Sequence, residues 1–228
     1  MIDLNDFYLE GYVLLRADHP GWEQLKDGLL PDRLVSLSAH ICPHLQIYWG
    51  WVPGNRDAAI RFGIPEERWD AFREWCKRPL TLDAMSAFET IESARDFIQQ
   101  FLPDVENLYL IGAAYPKSLA EVDIEATHQE GKTTSLERRI LLESGGEPLG
   151  FEVVSFAHND FGCSWLCNYL HKDMHELFSI RPNGYGLIER EDDARKVSEW
   201  IAEDEMKGTR AEPEPYDYWL LVSYPLAR

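Results

Sequence analysis

Four side chains able to bind a metal or attack an electrophile follow one another at intervals of four: Cys163, Cys167, His171 and His175. On a helix each step of four residues turns the direction by only about 40°, so neighbouring members share a face. His40, Cys42 and His44 alternate along another segment and, on an extended strand, project to one side. Thiolate and imidazole are zinc ligands. Cys163, Cys167 and His171 together with His40, Cys42 and His44 could therefore hold Zn²⁺ if the two elements met. Two observations oppose this. Ligands spread along one helix lie too far apart for a single ion, and the chain has no Cys-x-x-Cys knuckle. The row also flanks an apolar stripe, Leu166, Leu170, Met174 and Leu177, by roughly 60–100°. That is a half-buried position, where Cys packs as a small hydrophobe and His stays partly solvated. The expectation is no metal and no cofactor.

The other chemical candidate is a cysteine nucleophile. Read as the start of a helix, Phe161-Gly162-Cys163-Ser164-Trp165 would place Cys163 where the helix dipole lowers a thiol pKa. The segment faintly resembles the Gly-Ser-Cys-Trp order of papain-like proteases, with Ser and Cys transposed. Those enzymes draw their His from well downstream, whereas no His follows His175 here; His128 and His158 lie upstream. Ser164 is better explained as a helix N-cap. The expectation is thus no catalytic residue, with Cys163 and His158 as the alternative pair.

The elements that would position these groups are read from periodicity. Phe7 to Leu15 reads as a strand, and Leu34 to Ile41 and Leu45 to Val52 alternate as a hairpin bent at Cys42-Pro43-His44. Trp49 and Trp51 would share the core face of that hairpin. A helix begins near Pro65 with Trp69, Phe72 and Cys76 on one side. Another, capped by Ser93, carries the stripe Ala94, Phe97, Ile98, Phe101 and Leu102. Asn107 to Ala114 is apolar enough for a strand buried on both faces. Gly131-Lys132-Thr133-Thr134 looks like the tail of a phosphate-binding loop but lacks the first Gly and a preceding strand, so it reads as an exposed loop. Leu136 to Glu143 reads as a helix. Leu149 to Ile188 reads as strand, turn, helix from Ser164, turn, strand, and Glu191 to Met206 as an acidic helix with Ala194, Val197 and Ile201 inward. Tyr218 to Tyr224 is a last buried strand. The whole is an α+β domain over residues 1–228, with a mixed, largely antiparallel sheet and helices packed on it. A softer division falls near 116–134.

Composition bounds the function. The chain has 228 residues, 45% hydrophobic and 27% charged, and its 40 acidic against 22 basic residues leave a formal charge of -18. That excess keeps a protein soluble and disfavours nucleic acid or an anionic membrane as a direct ligand, while steering basic partners toward it. Between Glu189 and Asp217 eleven acidic residues face five basic ones. Glu199, Glu203, Asp204, Glu205, Glu212 and Glu214 are the binding surface this suggests, with Glu212-Pro213-Glu214-Pro215 a stiff extended link. The start of the chain has no export signal and no apolar run of membrane-spanning length, so the four Cys are expected as free thiols in a reducing cytoplasm.

Gly150-Phe151-Glu152-Val153, Ser164-Trp165-Leu166-Cys167-Asn168, Asn183, Gly186-Leu187-Ile188, Trp200, Glu212-Pro213 and Tyr218-Trp219-Leu220 together resemble a group of uncharacterised bacterial proteins. That group is similar, in size, acidity and lack of catalytic residues, to the immunity proteins that accompany bacterial toxins. The resemblance covers about eighty residues. It implies a non-enzymatic binding protein that occludes a basic toxin domain. The competing reading is a small enzyme using a Cys/His or zinc site between Cys163 and His175.

Overall fold

Strands without polar alternation need cover on both sides, and this chain places two of them at the centre of its sheet. The computed structural model describes residues 2–17, 28–38, 40–42, 56–76, 88–120, 139–157, 160–207 and 215–226. Strands β1 (Phe7–Arg16), β2 (Leu108–Pro116), β3 (Glu147–Ala157), β4 (Asp160–Ser164) and β5 (Tyr216–Tyr224) form one sheet in the order β1-β2-β5-β3-β4. Every pairing is antiparallel. The last strand of the chain is thus inserted between β2 and β3, and Leu220, Leu221 and Val222 are fully buried there, as are Leu110, Ile111 and Ala113 on β2. The α+β architecture and antiparallel sheet expected from the sequence are present.

Helices α1 (Arg56–Phe62), α2 (Trp69–Cys76), α3 (Ile91–Phe101), α4 (Lys117–Ala120), α5 (Leu170–Phe178) and α6 (Glu191–Lys207) accompany the sheet. Phe97 of α3 sits in an aromatic cluster with Phe72, Trp75, Phe88 and Phe101, at centroid separations from 4.8 to 6.1 Å. Phe88 also exchanges two backbone hydrogen bonds with Tyr12, covering part of the outer edge of β1. On α6 the inner stripe Ala194, Val197 and Ile201 is fully buried. The helix is pinned to β5 by Ser198 Oγ, which donates to the Tyr216 carbonyl at 2.7 Å, and by Tyr218 OH, which donates to Glu191 at 3.2 Å.

Several local readings change. The Leu34–Ile41 alternation does not make a strand: residues 34–38 belong to no strand and bend at Leu37, and Leu34, Ser36 and Ser38 are as buried as Val35 and Leu37. The hairpin partner Leu45 to Val52, with Trp49 and Trp51, lies outside the described residues, as does the loop at 128–134. Within Leu136 to Glu143, the described residues 139–143 are not helical; the Ile140 carbonyl instead accepts from the Leu9 N–H at 2.8 Å, beside β1. The softer division near 116–134 coincides with α4 and then passes outside the described residues. The α3 cap is Thr90, whose Oγ1 accepts from the Ser93 N–H at 3.1 Å, while Ser93 Oγ donates back to the Thr90 carbonyl at 2.8 Å.

This assigns the cap to a measurable position. Thr90→Ala should lower unfolding free energy by about 1 kcal/mol, and Ser93→Ala by less, read as a shift in denaturant midpoint at constant slope. A larger loss at Ser93 would return the cap to the residue expected from sequence.

Candidate functional site

The segment that carries the cysteines begins as a strand and not as a helix. Phe161, Cys163 and Ser164 lie in β4, paired to β3 with Phe156 opposite Phe161 and Val154 opposite Ser164. A bulge between Val154 and Phe156 takes a β3 carbonyl out of reach, and the Cys163 N–H is satisfied by Ser155 Oγ at 2.8 Å. Ser164 ends the strand and caps no α-helix. Its Oγ accepts from the Leu166 N–H at 3.3 Å, a local turn of the kind serine favours. A 3-10 turn at Cys167–Tyr169 follows, in which Asn168 and Tyr169 are left-handed, with φ of 53° and 60°. Helix α5 starts only at Leu170. Cys163 is therefore not at a helix N-terminus, and the helical row of four does not exist.

This rephasing changes what each residue faces. Leu166, Leu170 and Met174 are fully buried as expected, but Leu177 is 57% exposed. His171 is fully buried, edge-on to Trp165 at 6.4 Å, whereas a partly solvated flank was expected. His175 pairs with Arg181 at 3.4 Å. In the other proposed ligand set, His40 is exposed, Cys42 is buried with its Sγ donating to the Leu34 carbonyl at 3.0 Å, and His44 is outside the described residues. Among the described residues no group of three or more His, Cys, Asp or Glu side chains could hold a metal ion. His158, the alternative base for Cys163, is outside the described residues too.

A polar group that composition did not single out takes their place. Glu152 is fully buried on β3, on the side of the sheet opposite the Phe151 and Val153 side chains. Its carboxylate accepts from Ser36 Oγ, from the Leu37 N–H at 2.6 Å, and from Ser164. Burial pushes its pKa up to about 7, against the pull of those three donors. A lone carboxylate inside the apolar run Phe151-Glu152-Val153-Val154 was the available signal. Glu10, in β1, is a second buried acid within such a run.

An open groove of about 820 Å³ lies near this clasp, between the N-terminal residues, the start of β3, the 183–185 turn and the first turn of α6. Asp3, Asp6, Glu189, Glu191 and Asp192 line it against one guanidinium, Arg190. The 183–185 wall is fixed by Asn183, whose Nδ2 donates to the Leu149 carbonyl at 2.7 Å while its Oδ1 accepts from the Tyr185 and Leu187 N–H groups at 2.9 and 3.1 Å. Gly150 has φ of 138°, and a Cβ there would stand 2.8 Å from the Ile188 carbonyl. Only glycine fits. Of the acidic surface expected on α6, Glu199 and Glu203 are exposed and Asp204 and Glu205 lie in the helix backbone, while Glu212 and Glu214 are outside the described residues. The groove sits at the other end of that helix, roughly 18 Å along its axis from Glu203.

Comparison of the chain with family profiles, with curated proteins and with solved structures found no match. Fold and site define a class: an α+β protein whose five-stranded antiparallel sheet presents an acidic groove. No helix among the described residues is long and apolar enough to cross a membrane.

The Glu152 pKa sets a pH dependence. A carboxyl whose folded pKa is raised contributes stability that is complete below the unfolded value and is lost as pH rises through the folded one. Stability should therefore fall between about pH 4.5 and about pH 7, by up to roughly 3 kcal/mol from this group. Glu152→Gln, neutral throughout, should flatten that slope. Parallel stability–pH curves for the two proteins would sink the assignment.

Proposed function

We propose that the chain is a non-enzymatic binding protein that receives a basic protein partner, of the immunity type that neutralises a basic toxin domain. The observation that carries this reading is the groove in which five carboxylates face one arginine, on a chain of formal charge -18. Its openness suits a protein loop or helix end better than an enclosed small molecule. The surrounding field would accelerate association with a cationic surface and weaken as salt rises. A cytoplasmic location and the absence of nucleic-acid or membrane ligands belong to the same proposal.

The carboxylates divide by what else they do. Asp3 accepts from the Asn5 N–H at 3.0 Å to cap the first 3-10 turn, and Glu191 holds Tyr218. Asp6 and Glu189 are exposed, and their carboxylates make no hydrogen bond or ion pair among the described residues, so the side chains can be reversed without disturbing the fold. Where the gene next to this one encodes a basic toxin, co-expression should restore growth, and the two purified proteins should form a complex that weakens with salt. Asp6→Lys with Glu189→Lys should slow association roughly tenfold or more while leaving the melting temperature near wild type. Lack of protection, or a complex indifferent to both salt and these charges, would remove the reading.

The alternative enzyme reading has one observation in its favour, the hydrogen bond between Cys163 and Cys167. It lacks a described histidine positioned as a base, since His171 and His175 are both committed to α5 packing and to Arg181.

A further inference from the structure

The turn between β4 and α5 brings together two thiols that pack against the rim of the core and stay partly exposed. The Trp165 N–H bonds the Val153 carbonyl at 2.8 Å and the Leu166 N–H bonds Ser164 Oγ at 3.3 Å, so the chain reverses directly after β4. Trp165 and Leu166 are fully buried and anchor the reversal. Cys167 is thereby returned against Cys163, and the two thiols are hydrogen-bonded to each other, with the Ser164 N–H also reaching the Cys167 sulfur. Both residues are partly exposed, whereas Cys42 is fully buried.

We propose that Cys163 and Cys167 form a redox modification site, a dithiol that a peroxide-class oxidant converts into an intramolecular disulfide. The Cys163 thiolate attacks one peroxide oxygen and the O–O bond breaks, giving a sulfenic acid on Cys163 and a hydroxide that leaves as water. The Cys167 sulfur then attacks that sulfenic sulfur; its proton leaves with the displaced hydroxyl as a second water, and the S–S bond closes. Two thiols are oxidised and one peroxide is reduced to two waters.

The roles follow from the contact. Its hydrogen bond to Cys163 first, and burial second, hold the Cys167 thiol protonated well above the usual range. Cys163 is then the sulfur that attacks and Cys167 the one that resolves. Because the two thiols are hydrogen-bonded to each other across a turn that Trp165 and Leu166 pin, they are placed to meet without unfolding either element. The inference is independent of the acidic groove.

The test uses the full chain, treated near neutral pH with an equimolar amount of hydrogen peroxide and followed by intact mass and non-reducing peptide mapping. The expected product is a monomer lighter by two hydrogens, with Cys163 joined to Cys167, restored by dithiothreitol. Cys167→Ser should stop at a gain of one oxygen on Cys163, trapped by dimedone. Cys163→Ser should lose the fast reaction altogether. In the wild type, oxidation at Cys163 should outpace that at Cys42 by at least about tenfold. A treated wild type that keeps both thiols open to alkylation would overturn the proposal. So would a cross-link to Cys42 or Cys76, or a disulfide-linked dimer as the main product.

Discussion

The interaction on which this structure depends is the clasp between the Glu152 carboxyl and residues 36–38. A buried carboxylate is tolerated only when its oxygens are satisfied, and here three donors converge on it. In return it satisfies the Leu37 N–H, in a stretch of backbone that no strand ladder reaches. The Val35 N–H goes to the Tyr185 carbonyl, the Leu37 N–H to Glu152, the Ser38 N–H to Ser36 Oγ, and the Ile41 and Cys42 N–H groups to the Ser38 carbonyl. Residues 34–38 can thus be fully interior without being a strand, because side chains take the place of a neighbouring backbone. Removing the carboxylate's oxygens would strand several donors at once.

The same segment carries the clasp outward. Through Val35 it holds the turn at Tyr185, and Leu34 packs so closely on Gly186 that a Cβ there would meet it at 2.5 Å. Gly186 is left-handed, with φ of 83°, and Asn183 closes the turn onto β3. Phe151 and Ile188 then exchange two backbone hydrogen bonds at 2.7 Å. One wall of the groove is therefore built from residues whose backbone is fixed at both ends. The motif residues Gly150, Asn183 and Gly186 are explained by this construction without any chemistry of their own.

Which parts of this were legible follows from how much each element depends on its own periodicity. β2, β5, α3 and α6 carry long, regular apolar patterns, and their burial matches the stripe expected of each. α1 has only seven residues, too few for a pattern. β4 is five residues interrupted by Gly162, and next to Ser164 it imitates a capped helix start. Helical phase starts at Leu170 and not at Cys163, so the Cys and His spaced by four belong to a strand, a 3-10 turn and a helix and share no face. Residues 34–38 differ from expectation for the opposite reason. Their alternation is genuine, but tertiary hydrogen bonds to Glu152 and Tyr185 decide their conformation. The acidic character of the candidate surface was visible as a charge count; its position was not, because the groove joins the first residues of the chain to the start of α6.

That position also separates what folding asks of the acidic residues from what it leaves over. Glu191, Asp192 and Asp193 occupy the first turn of α6, where the positive end of the helix dipole stabilises carboxylates. Arg195 reaches back to Glu191 at 3.4 Å, one turn along. An exposed pair of this kind is worth little on its own, so helix α6 does not owe its stability to it. It rests on Ala194, Val197 and Ile201 against β5 and β3. The dipole lets the sequence place negative charge here at little cost to folding, yet it does not require Asp6 or Glu189 to lie across from it. Their convergence brings like charges together, and like charges repel unless a counter-charge arrives. If the groove receives a basic partner as proposed, that surface would relieve the repulsion on binding, and association and local stability would rise together.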